Sequence, residues 1–334
     1  MIGVNNEQPT GWVPYEDRTP LQRAFTDAFV AVKGRFQDRI PQEVEVPDRI
    51  ILQDLERKAT GGDLISRIWQ VTGSCVGAGG ARAYTQAICG DIVIRGDVES
   101  PKFPFPYATY GVGREIAFGP GEGKGDGSFG AAQAEACKDT VFGILPWDDQ
   151  RVPKPRVVPD GNHAPWVKWT EKQEYDWSIP RAWPVPRSEL EPDAKGYGFA
   201  DVAIAQSTDE IQQALARGYG VTIASAFGTK PRVEQGFLIG RWNDTWYHQM
   251  TIEGYLQGTP FGTIYLQGNQ WGPTVHGDCP YLEPLGIRGC YWLLAKDLEN
   301  NLNKRGTECF VHTGSGGFDA ERKFDWKDLG ISYE

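Results

Sequence analysis

Three residues of this 334-residue chain have the types and surroundings that nucleophilic chemistry needs: Cys75, His248 and Asn269. Cys75 follows Thr-Gly-Ser in QVTGSCVGAGGARAY, where small residues and Ala-Arg-Ala-Tyr mark the opening of a helix expected to run to about Ile88. With Ser74 as N-cap, the thiol falls in the first helical turn, beside unpaired backbone N–H groups and the positive end of the helix dipole. That placement favours thiolate, the nucleophilic form. The same cysteine also fits a helix packed through Gly and Ala, since free cysteines are among the most buried residues.

A thiolate nucleophile needs a base, and the chain offers four histidines: His163, His248, His276 and His312. His248 opens HQMTIEGY, which alternates as a strand; GTIYLQGN alternates again before GNQWGP breaks the pattern, so the two read as a hairpin. Closing its turn over Leu256 to Phe261 sets His248 opposite Asn269. Opposed side chains in such a ladder are about 4.5–5.5 Å apart at Cβ, within reach for the Asn269 amide to bond the imidazole and fix its tautomer. A single bulge would shift that register, and a hairpin with two polar end residues accounts for the same letters. His163, His276 and His312 read as structural.

Composition limits what such a site could serve. Hydrophobic residues at 40% and charged residues at 23% describe a soluble globular protein long enough for one large domain or two lobes. A net charge of -10 without a Lys/Arg cluster argues against a nucleic-acid partner. No apolar run approaches the roughly 18 residues of a membrane span. The opening MIGVNNEQPTGWVPYEDR has neither a basic n-region nor an apolar run, so no signal peptide is expected and the protein should stay soluble in the cell that makes it. Six scattered cysteines without a C-x-x-C pair support neither a zinc site nor, without secretion, disulfides.

The elements that must position the three residues fall into four stretches. Residues 1–60 read as an arm and an amphipathic helix in PLQRAFTDAFVAVKGRF; residues 61–145 form a helical lobe carrying Cys75. Residues 146–196, rich in Pro and Trp, read as an irregular insertion presenting aromatic side chains at the surface. Residues 197–334 form a β-rich lobe carrying His248 and Asn269, introduced by the capped helix STDEIQQALARG and the strand GVTIASAF. Helices before strands imply an α+β protein of two lobes. The loop FGPGEGKGDGSFG contains G-x-G-x-x-G without the strand a nucleotide fingerprint requires, and reads as a cleft-lining element instead.

Taken in order, these landmarks resemble the papain-like cysteine peptidases: a Gln followed by Gly-Ser-Cys at a helix start, a Gly-rich loop leading to a helix that ends in Gly-Ile-Leu-Pro, the unit STDEIQQALARGYGVTIASAF, and HQMTIEGY ending in NQWG. The resemblance covers Gln70 to Trp292. It implies a two-lobed α+β fold with a cleft between a helical and a β-rich lobe, no metal or organic cofactor, and hydrolysis of a peptide or protein substrate through a thioester. It further implies Cys75 as nucleophile, His248 as general base and then acid, Asn269 as the group orienting His248, and Gln70 with the Cys75 N–H as the oxyanion hole. Gly127, Ser128, Phe129, Gly130 and Trp271 would border the substrate, Trp271 also shielding the Asn–His bond. Gln70 stands five residues before the cysteine where the family usually has six, and Val76 replaces a frequent aromatic. A cell-wall amide hydrolase and a non-catalytic structural or binding protein on the same scaffold are the rival readings. Gly-Ser-Cys-Val-Gly and Gly-Asp-Gly-Ser also resemble segments of papain-like proteins of tailed bacteriophages. With no inhibitory pro-segment recognisable, association with other virion proteins, docked through the aromatic insertion, is the expected means of confinement.

Overall fold

The computed structural model describes residues 11–40, 44–96, 101–120, 126–314, 317–318 and 326, leaving aside the side chains of Arg95 and Asn243. Helices dominate its first half. Helix α1 (Pro20–Lys33) opens on a capping box between Thr19 and Gln22. Strand β1 (Arg49–Ile51), helix α2 (Gln53–Thr60) and strand β2 (Arg67–Ile68) lead to α3 (Cys75–Arg95), which continues well past the expected end at Ile88. Strand β3 (Pro104–Phe105), helices α4 (Pro106–Phe118) and α5 (Gly130–Ala136), and strand β4 (Leu145–Pro146) complete this half. The Gly- and Ala-rich start of α3 is a packing requirement: a Cβ on Gly77 would stand 2.7 Å from the Cβ of Tyr110 in α4.

Residues 146–196 do not form the surface element expected of them. Strands β5 (Arg156–Val158) and β6 (Trp166–Lys168) join β2 in a three-stranded sheet, while helix α6 (Glu171–Trp177) packs on α4 and helix α7 (Arg187–Lys195) on β4. Trp166, Trp169, Trp177 and Trp183 are all buried. Trp169 and Trp177 meet Phe105 edge-on at 5.5 and 5.1 Å. Prolines interrupt the periodicity from which burial is read, but large aromatic bodies still gain most by leaving water.

The second half runs β7 (Val202–Ile204), α8 (Thr208–Ala216), β8 (Gly220–Thr229), β9 (Arg232–Glu234), β10 (Phe237–Gly240), β11 (Trp242–Thr259), β12 (Gly262–Gly268), β13 (Cys290–Leu294), α9 (Ala295–Leu302) and β14 (Glu308–His312). A nine-stranded sheet forms in the order β7-β14-β8-β11-β12-β13-β10-β9, with β1 paired to β11. The α+β architecture and the Ser207/Glu210 capping box of α8 agree with the sequence reading. The hairpin register does not. Its turn is tight, with Thr259 facing Gly262, and the ladder shifts between Ile252 and Gly254 and again between Leu256 and Thr259. Each bulge moves the pairing by a residue. The β12 ladder therefore ends at Thr251 opposite Gly268, short of His248, which on the other edge of β11 pairs with Ser225 of β8.

Helical and sheet halves are clamped by a buried charge cluster. Glu253 of β11 lies 2.9 Å from Arg67 of β2 and 3.1 Å from Arg82 of α3, and Arg82 also reaches Glu56 of α2 at 2.5 Å. The two guanidiniums hold the Glu253 carboxyl well below its ordinary range despite its burial. This cluster fixes α3, and with it Cys75, against the strand that carries His248.

Candidate active site

Cys75 is the first residue of α3 and has no exposed surface. The backbone N–H of Gln249 donates to its sulfur at 3.4 Å, while the Gln249 side chain donates to the carbonyl of Val76 at 3.1 Å. The residue following His248 is thus bolted to the first turn of α3, which brings the imidazole's strand to the thiol.

His248 Nε2 lies 3.0 Å from Oδ1 of Asn269. That same Oδ1 accepts the Gln270 backbone N–H at 2.6 Å, so it is the amide oxygen, and Nε2 carries the proton between them. Nδ1 is then the nitrogen with a free lone pair; it is buried without a hydrogen-bond partner among the described residues. Asn269 makes this contact from beyond the end of β12 and not across the ladder. Trp271 stacks on the imidazole with ring centroids 4.3 Å apart. The Asn269 amide nitrogen donates to His276 Nε2 at 2.8 Å, adding a residue that had read as structural. Its only signal in the sequence is its position in the turn after NQWG. His163 and His312 take structural partners, Glu283 and Thr222.

An extended segment of the chain itself lies beside Cys75 and the strand of His248. The N–H groups of Gly11 and Trp12 donate to the Tyr247 carbonyl at 3.3 and 3.1 Å, Val13 N–H to Ser128 O at 2.7 Å, and Ser128 N–H to Gly11 O at 2.8 Å. Trp12 pairs with Ser128 in the parallel sense. The segment is anchored on Glu308, which accepts the Trp12 indole N–H at 2.7 Å, the Arg18 guanidinium at 2.7 Å and the backbone N–H groups of Gly130 and Ala131 at 2.9 and 3.1 Å. No inhibitory segment is recognisable in the sequence, yet residues 11–13 pair beside the thiol. Backbone pairing leaves no side-chain signature to read. Gly127, Ser128, Phe129 and Gly130 are buried beneath this arm; residues 1–10 and 121–125, the rest of the arm and the middle of the Gly-rich loop, lie outside the described residues.

With the arm seated, the site is discharged. Burial pushes the Cys75 thiol up to about 12, although the N–H groups of Gln249, Gly11, Val76 and Cys75 itself pull the other way. Burial holds His248 down to about 4, opposed by its bond to Asn269. The helix-start thiolate expected from sequence is therefore not the covered form, because desolvation outweighs the amide dipoles. Ser74 occupies the N-cap position without capping; its hydroxyl turns to Glu174 at 3.2 Å. Gln70 directs its side-chain amide to Thr72 O at 3.1 Å, within the loop before the cysteine.

No protein-family model and no curated protein matches the sequence. The structure matches that of xylellain, a cysteine protease from Xylella fastidiosa, with a TM-score of 0.51 at 16% identity over 91% of each chain. It also matches procathepsin B S9 from Trypanosoma congolense, with a TM-score of 0.50 at 11% identity over 92% of this chain and 83% of that one. The fold is papain-like. At these identities the likeness is one of fold, and the chemistry is argued from the residues above. Among the described residues, no group of His, Cys, Asp and Glu is arranged to hold a metal ion, and no helix is long and apolar enough to cross a membrane.

Proposed function

We propose that this chain is a cysteine peptidase whose cleft is covered by its own residues 11–13. One observation carries the substrate class: beside Cys75, an extended backbone is held by Ser128 N–H, Ser128 O and Tyr247 O. A substrate peptide meets the same donors and acceptors once the arm has left.

With the cleft uncovered and hydrated, the terms that suppress charge separation relax. Cys75 then gives its proton to Nδ1 of His248, and the sulfur attacks the scissile carbonyl carbon. The oxygen of the tetrahedral intermediate takes hydrogen bonds from the Cys75 N–H at the start of α3 and from the Gln70 amide. Collapse transfers the imidazolium proton to the leaving amine and leaves a thioester, which water, deprotonated by His248, hydrolyses. Asn269 holds the ring by accepting its Nε2 proton throughout.

The arm offers confinement within the chain, and four tryptophans of residues 146–196 are buried while Tyr175 and Val157 stay exposed, so docking on a virion protein through this stretch would have to use those two side chains. A stem-peptide amide hydrolase would use the same thioester chemistry; the extended backbone-pairing surface favours a polypeptide. Hydrolysis of a fluorogenic peptide mixture by the purified chain, absent in Cys75→Ala and His248→Ala, tests the proposal. Activity retained by Cys75→Ala would remove it.

A further inference from the structure

Glu174 ties residues 146–196 to the nucleophile. It sits on α6 with no exposed surface, and five donors converge on its carboxylate. Val71 N–H lies 3.1 Å from Oε1; Thr72 N–H, the Thr72 hydroxyl and the Ser74 hydroxyl reach Oε2 at 3.1, 2.8 and 3.2 Å. The Tyr107 hydroxyl closes the set on Oε1 at 2.7 Å. Four of these five groups belong to the loop Val71–Ser74, which runs directly into Cys75. An ionised carboxylate is an acceptor only, with about four lone-pair sites, so it can gather several donors in one place. Ser74 gives up the usual N-cap bond for this contact, so the arrangement serves the loop and not the helix end. Burial raises the Glu174 carboxyl above its ordinary range, while the bonds from Tyr107, Thr72 and Val71 act to keep it ionised.

We propose that Glu174 is a positioning residue of the peptidase site: it fixes the loop Val71–Ser74 so that the Cys75 thiol and the oxyanion-stabilising N–H are aimed before substrate binds. The proposal rests on the peptidase reading. It gives the Pro- and Trp-rich stretch a task, as the buttress that carries one carboxylate to the loop. Glu174 touches no reacting atom; it acts through the backbone it holds.

The test compares the full-length chain with Glu174→Gln, which keeps the shape but puts an N–H₂ where an acceptor is needed. Hydrolysis of a fluorogenic peptide should fall about tenfold or more in kcat with little change in KM, since removing one oxyanion donor elsewhere costs about 10²–10³ in kcat. Affinity for a peptide aldehyde, which forms a tetrahedral adduct on the cysteine, should fall with kcat. Tyr107→Phe, which removes one of the five donors, should show the same split on a smaller scale and serves if Glu174→Gln does not fold. Lys172→Ala, on the exposed side of α6, should match the parent. Unchanged kcat and aldehyde affinity in both variants, or a loss confined to KM, would overturn the positioning role alone. A parent chain that neither hydrolyses peptides nor binds the aldehyde would overturn the peptidase reading, and this role with it.

Discussion

The side-chain oxygen of Asn269 accepts from two donors at once, His248 Nε2 at 3.0 Å and the Gln270 backbone N–H at 2.6 Å. Because the second can only donate, the tautomer of His248 is set and its basic nitrogen is Nδ1. Removing the base itself, in His248→Ala, should cost about 10²–10⁴ in kcat. Asn269→Ala should cost clearly less, since it orients the ring without moving a proton. Equal losses in steady-state kinetics would mean that Asn269 does more than orient.

His276 extends this chain of contacts by accepting from the Asn269 amide nitrogen at 2.8 Å. Its ring also packs against Tyr291, centroids 4.7 Å apart. His276→Phe preserves the ring but strands a buried donor, at a cost of about 1–3 kcal/mol. A lowered thermal midpoint together with a severalfold lower kcat is expected. A variant as stable and as active as the parent would show that Asn269 is held by its other bonds.

The arm's fit depends on Gly11, where an added Cβ would stand 1.7 Å from the Gly73 carbonyl oxygen. Backbone cannot yield that much without moving, so Gly11→Val should lift the arm off the cleft. Alkylation of Cys75 at pH 7 should then run faster than in the parent. Trp12→Ala, which removes the indole bonded to Glu308, should do the same. Unchanged alkylation in both variants would show that the arm does not govern access.

Acid should loosen the same cover. His248 is held down to about 4 in the covered state and His276 to about 3, against about 6.5 for a solvated histidine. Between these values the covered state binds fewer protons than an open one. Its stability from these rings is complete above about pH 6.5 and is withdrawn as pH falls toward 4. Glu174 and Glu56, raised by burial, act with the opposite sign. Hydrogen exchange at Gly11 and Trp12, corrected for intrinsic rates, should therefore speed up on acidification from pH 6.5 to 4. Constant protection would contradict the sign assigned to the histidines.

Local features were legible in the sequence: the start of α3 at Cys75, the capped start of α8, and the strand character of the segment from His248, although that strand opens earlier, at Trp242. Each depends on a few neighbouring residues. The His248–Asn269 contact was expected for a reason the structure replaces, since two bulges shift the ladder and Asn269 reaches the ring from past the end of β12. The roles of Glu174 and His276 and the seating of the arm beside Cys75 could not be read. Their partners lie far away in sequence or are backbone groups, and neither leaves a periodic or compositional trace. The insertion misled because prolines hide the burial pattern of Trp166, Trp169, Trp177 and Trp183.

All six cysteines are buried and unpaired, so selective chemistry at one of them is decisive. The purified chain is incubated with a peptidyl epoxide, which a cysteine opens at one ring carbon, and analysed by intact mass and peptide mapping. A single addition at Cys75, lost in His248→Ala and lost when the protein is first denatured, is the predicted result. No addition to the folded chain, even with Gly11→Val uncovering the cleft, or labelling spread over the other cysteines, would contradict the account.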